Sequence, residues 1–173
     1  QDSRTPARLD ALGIGHVTIR PDRLQDVYTA ALLLGRVTGA DAAADSLVRA
    51  IESGLAELSQ RVAQLPRLRT VYVVGGTPPW IAGPNTYIDE ILGLVGGDNA
   101  FDDLQRLYSA VSPEELRARE IDVVLVSEVS EFDAKLTPRA RIVEIGSVLE
   151  IPGPNVVDAA WRVAEFLHGI SLR

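Results

Sequence analysis

The stretch Arg69-Thr70-Val71-Tyr72-Val73-Val74-Gly75-Gly76-Thr77-Pro78-Pro79-Trp80-Ile81-Ala82-Gly83-Pro84-Asn85 decides the fold. It opens as a β-branched, apolar run, the mark of a buried strand in a parallel sheet. Two glycines and two prolines then break it, because neither residue type sustains a strand interior. The break carries Trp80 into a loop, and the next helix is expected from about Asn85. In open α/β sheets, ligands settle at the carboxyl ends of the strands. Trp80 therefore has two readings: an indole folded back onto the sheet as core, or a stiff amphipathic ring offered to a ligand.

Downstream, residues 121–126 and 141–145 repeat the short apolar strand pattern. Well-signalled helices separate them. Ser112-Pro113-Glu114-Glu115 has the form of a capping box with proline in the first turn. Gly83-Pro84-Asn85 and Gly153-Pro154-Asn155 are one tripeptide used twice, each Asn placed as an N-cap or its neighbour. Residues 156–167 carry Val157, Ala160, Trp161, Ala164 and Leu167 on one helical face, which assigns Trp161 to the core. Alternating strands and helices predict a parallel sheet covered by helices.

Upstream, residues 41–65 form the longest periodic segment, with Leu47, Ile51, Leu55, Leu58, Val62 and Leu65 in one narrow stripe. A helix of that length spans roughly 35–40 Å and suits a strut. Gly54 is its weak point, at about 1 kcal/mol relative to Ala. Residues 24–38 read as a helix ended by Gly39. Residues 5–12 read as a short helix, with Thr5 as N-cap and Pro6 next, and residues 16–19 read as a strand after it.

The chain of 173 residues is 46% hydrophobic and 24% charged, ordinary for one globular domain. A net charge of −7 and the lack of a basic stripe argue against a nucleic-acid partner. Cysteine is absent, which excludes thiol catalysis and disulfides. Methionine is absent too, and we expect a targeting segment or a larger part of the protein upstream. His16 and His168 stand in different elements without carboxylates at metal-ligand spacing. No G-x-S-x-G elbow or P-loop lysine occurs. Asp89-Glu90 and Asp102-Asp103 are adjacent carboxylates that do not share a helix face and read as solvated surface. Gly96-Gly97-Asp98-Asn99 reads as a helix end and turn.

Three features together resemble a known family. A strand runs into Gly-Thr-Pro-Pro-Trp-Ile-Ala-Gly; residues 87–101 follow as Tyr-Ile-Asp-Glu-Ile-Leu-Gly-Leu-Val-Gly-Gly-Asp-Asn-Ala-Phe; then Val111-Ser112-Pro113-Glu114-Glu115-Leu116 precedes the strand from Ile121. This order is similar to the C-terminal lobe of the substrate-binding proteins that serve ABC importers of cobalamin, haem and iron–siderophores. In that family, one long helix joins two α/β lobes, as the strut at 41–65 would. The resemblance implies an α/β fold: a three-layer lobe with a parallel sheet at 67–173, a helical segment at 23–66 with the backbone helix, and a remnant of an N-terminal lobe at 1–22. Most of the first lobe has no counterpart, so a missing N-terminal lobe or a second chain would complete the cleft.

The same resemblance implies a binding module and not an enzyme, located in the periplasm or otherwise outside the cytoplasm, membrane-anchored or free. No intrinsic cofactor or metal is implied. The ligand would be cobalamin or a related corrinoid, with haem or a ferric siderophore as alternatives. Ligand-facing positions would be Thr77, Pro79, Trp80, Ser127 and Val148, the last where cobalamin binders can carry an aromatic residue. Glu150 matches a glutamate that docks the lobe onto arginines of the membrane permease. A rival of another class is a small α/β enzyme using the Trp80 cleft, with Glu128 at a strand exit as its titratable group.

Overall fold

A computed structural model describes residues 4–172. Three helices come first: α1 (Arg4–Ala11), α2 (Leu24–Thr38) and α3 (Asp41–Val62). The α/β body follows as β1 (Leu68–Gly75), β2 (Trp80–Ala82), α4 (Tyr87–Leu94), β3 (Gly97–Asn99), β4 (Tyr108–Ala110), α5 (Pro113–Ala118), β5 (Val123–Val126), β6 (Arg141–Glu144) and α6 (Val156–His168). The six strands form one mixed sheet in the order β4-β2-β1-β5-β6, with β3 beside the start of β1.

The expected parallel strands are present. Thr70–Val73 of β1 pair in register with Val123–Val126 of β5, which pair with Arg141–Glu144 of β6, all parallel. Side chains alternate across this sheet, as the two-residue strand period requires. Tyr72, Val123 and Leu125 enter the core built with α2, α3, α4 and α6. Val71, Val73, Val124 and Val126 enter a second core with Phe101, Leu116 and Phe132. The result is a three-layer α/β lobe.

Three short strands were not anticipated. Trp80-Ile81-Ala82 forms β2, antiparallel to β1 and to β4. Gly97–Asn99, read as a helix end and turn, forms β3 parallel to the start of β1. Gly96, at φ 88°, still makes the turn out of α4. Buried Asn99 explains the segment's composition. Its Nδ2 donates to the Ala82 carbonyl at 3.2 Å and to Asp89 Oδ1 at 2.9 Å, and its Oδ1 accepts from the Phe101 N–H at 3.0 Å. One buried amide thus ties β2, α4 and the turn after β3, with its polar atoms paired.

Asp89 and Glu90 are fixed structural groups, contrary to a reading as solvated surface. Asp89 Oδ2 accepts from the Asn85 N–H at 3.0 Å. Glu90 accepts from the Leu24 N–H at 2.6 Å and pairs with Arg23 at 3.2 Å, holding the start of α2 against α4. Adjacent residues on a helix point to different neighbours, and here each neighbour supplies its own donor. The capping box of α5 forms as expected, with Ser112 and Glu115 bonding each other's backbone N–H groups at 3.2 and 2.7 Å. Trp161 is buried, with Arg61 over its ring at 5.6 Å.

Helix α3 runs unbroken through Gly54 because that glycine is a contact surface. A Cβ there would sit 2.7 Å from Val157 Cγ1 of α6. At the N-terminus two expectations are corrected. Helix α1 already includes Arg4, so Thr5 lies in its first turn and is not the cap. Residues 16–19 form no strand. A strand needs a neighbouring edge to satisfy its backbone, and no described strand pairs with this one.

Candidate functional site

The in-register pairing brings β1, β5 and β6 to a common carboxyl edge at Val73, Val126 and Glu144. At this edge β1 meets β2 through an irregularity between Val73 and Gly75. Gly75 and Gly76 take φ values of 129° and 89°, a region that L side chains rarely adopt. The indole then lies over Gly76, where a Cβ would come within 3.1 Å of Trp80 Cδ1. The two glycines therefore let the strand turn back and make room for the ring.

Trp80 is 48% exposed. With Val74, Gly75, Gly76, Thr77 and Ser130 it lines an open cavity of about 600 Å³. Val74, near the end of β1, and Val129 and Ile151, in the segments after β5 and β6, are also exposed large apolar residues. Sequence reading missed these three. Their position at or beyond the ends of apolar strands was the available signal, but nothing local distinguishes such a residue from the last core residue of its strand.

The expected site residues fall into separate environments. Thr77 is exposed in the cavity beside Trp80. Pro79 is buried, and its carbonyl accepts from the Val111 N–H at 2.9 Å, so it anchors the loop instead of presenting a surface. Val148 is half-buried and packs against the helix-side core. Ser127 is half-buried at the end of β5, and its hydroxyl donates to Glu150 Oε1. Tyr72 OH lies 3.3 Å from Ser127 Oγ. Burial pushes the Tyr72 phenol above its usual range; the Ser127 hydrogen bond opposes that, and the Glu150 carboxylate adds to it. Glu150 itself is exposed, and no cation pairs with it among the described residues.

Glu128 is exposed, and the Ser130 hydroxyl donates to its Oε2 at 3.4 Å. His168 ends α6 with Nε2 2.9 Å from the Val95 carbonyl, and His16 lies 3.6 Å from Asp10. Among the described residues, no group of three or more His, Cys, Asp or Glu could hold a metal ion. No described helix is long and apolar enough to cross a membrane.

Comparison with curated proteins gives no match. Solved structures share the fold. The periplasmic haem-binding protein RhuT of Roseiflexus sp. RS-1 superposes with a TM-score of 0.79 at 19% identity, over 98% of this chain and 72% of its own. The periplasmic vitamin B12-binding protein BtuF of Vibrio cholerae gives 0.73 at 20% identity, over 95% and 69%. An ABC-type Fe3+-hydroxamate transport protein of Saccharomonospora viridis gives 0.70 at 18% identity, over 96% and 66%. The model of the periplasmic binding protein family matches residues 3–140, most of the chain. By that match, the chain belongs to the periplasmic binding protein family.

Proposed function

We propose that this chain is the ligand-gripping lobe of an extracytoplasmic substrate-binding protein, and that it delivers a corrinoid such as cobalamin to the membrane permease of an ABC importer. The observation that carries this reading is the half-exposed Trp80 beside an open cavity at the carboxyl edge of the sheet. The face of a broad macrocycle matches a stiff aromatic ring set among glycine backbone. Thr77 adds a hydroxyl at the rim, and half-buried Val148 packs against the helix-side core. The opposite face of the ligand is closed by an N-terminal lobe or by a second chain.

Protein haem sites supply His, Cys, Met or Tyr to the iron. The residues of this lobe that line the cavity include none of these, so in a haem complex the iron ligand would come from the other half of the cleft. Cobalamin carries its metal already coordinated and asks the lobe only for a surface. Glu150, exposed and without a cationic partner among the described residues, serves as the carboxylate that meets a permease arginine. A charge-assisted pair of that kind sets register and encounter more than raw affinity.

Titration with cyanocobalamin, haemin and a ferric trihydroxamate, read by absorbance and tryptophan fluorescence, tests the ligand. A saturable response to cyanocobalamin, with quenching of Trp80, is expected. A response to haemin or the hydroxamate alone would reassign the ligand, and silence toward all three would remove this cavity as the site.

A further inference from the structure

We propose that Ser127 is a positioning residue for docking, fixing the direction in which Glu150 presents its carboxylate. The inference rests on the reading of Glu150 as the docking group. Ser127 is the first residue beyond β5, a central strand, so its Cα is held by the sheet. An ionised carboxylate can only accept, so the single Ser127 proton goes to Glu150 Oε1. Ser127 Oγ is then left as an acceptor, and Tyr72, 3.3 Å away, must be its donor. The result is a directed chain, Tyr72 to Ser127 to Glu150. Tyr72 is completely buried in β1, the strand beside β5. An exposed carboxylate on the loop after β6 is thereby tied through two hydroxyls to the centre of the sheet.

This arrangement leaves Glu150 Oε2 with no hydrogen-bond partner among the described residues, available to a partner's guanidinium. A long side chain already held in place loses less freedom on binding than a mobile one. Removing the Ser127 hydroxyl should therefore weaken docking by about three- to tenfold, the range set by freezing one flexible side chain.

The test measures association of the full receptor with its membrane permease in nanodiscs, at saturating cyanocobalamin and again without it. The receptors are wild type, Ser127→Ala, Ser127→Thr, Glu150→Ala and the double variant Ser127→Ala/Glu150→Ala. We expect Ser127→Ala to lose about three- to tenfold, Ser127→Thr to recover most of it, and Ser127→Ala to add nothing once Glu150 is Ala, since no acceptor is then left to position. A general structural defect would instead add to the Glu150→Ala loss, and that additivity would overturn the proposal. If Glu150→Ala weakens association and Ser127→Ala does not, Ser127 has no positioning role while the docking reading stands. If Glu150→Ala has no effect, the docking reading falls and this proposal with it.

Discussion

Gly54 of α3 and Val157 of α6 meet so closely that a methyl group on the glycine would lie 2.7 Å from one Val157 methyl and 3.1 Å from the other. Rotating the valine relieves at most one of the two contacts, so the added methyl group still overpacks the seam between the helices. Gly54→Ala should therefore destabilise the fold by about 1 kcal/mol, the overpacking strain exceeding the gain in helix propensity. Gly93, an exposed helical glycine with open space around its Cβ position, should behave in the opposite way. Gly93→Ala should stabilise by about 0.5–1 kcal/mol. Urea midpoints for the two variants check the signs.

Thr86 is completely buried at the start of α4, where its hydroxyl accepts from the Asp89 N–H at 3.1 Å and donates to the Gly83 carbonyl at 2.9 Å. Thr86→Ala removes the cap and leaves both backbone groups short of a partner. The expected loss is about 1–2 kcal/mol. Thr86→Ser keeps the hydroxyl and should retain most of the stability in the same denaturation series.

Tyr87 is buried, its hydroxyl has no hydrogen-bond partner among the described residues, and burial raises its pKa from 10.0 to about 12. Between pH 10 and about 12 the unfolded chain gives up this proton and the folded chain keeps it. Its contribution is therefore complete below pH about 10 and falls as pH rises through that window, at no more than about 1.4 kcal/mol per pH unit. Tyr87→Phe should flatten the slope. It should also stabilise the protein near neutrality by about 1 kcal/mol, because an unsatisfied buried hydroxyl is removed. Denaturation midpoints at neutral pH and at high pH measure both effects.

Glu150→Lys in the full receptor should reduce permease association more than tenfold, an estimate of roughly 1.4 kcal/mol or more from losing an attractive charge pair and gaining a repulsive one. The loss should be larger at low salt, where the new like-charge repulsion is least screened. A loss independent of salt would assign it to a local structural defect instead of charge.

Strands β1, β5 and β6 were legible because each is a continuous apolar run between breakers, and a buried parallel strand needs little else. Strand β2 was not. Pro78-Pro79 reads locally as the end of a strand, and only the distant pairing of Ile81 with Val73 and Ser109 makes β2 a strand. Asn99 was legible as part of a specific motif, but its bonds to Ala82 and Asp89 depend on three elements meeting. The residues around Trp80 were individually visible. Pro79 was misplaced because sequence shows that a proline stiffens a loop, not which side of the loop faces inward. Ser127 and Glu150 were each singled out, whereas their hydrogen bond spans the turn from β5 to the loop after β6, a relationship that no local pattern encodes.

The central claim is that Trp80 grips a corrinoid. Isothermal titration of cyanocobalamin into the wild-type chain and into Trp80→Ala tests it most directly. The account predicts saturable binding by the wild type and a loss of about 2 kcal/mol, roughly thirtyfold in Kd, for the variant. Equal affinity in the two proteins would contradict it.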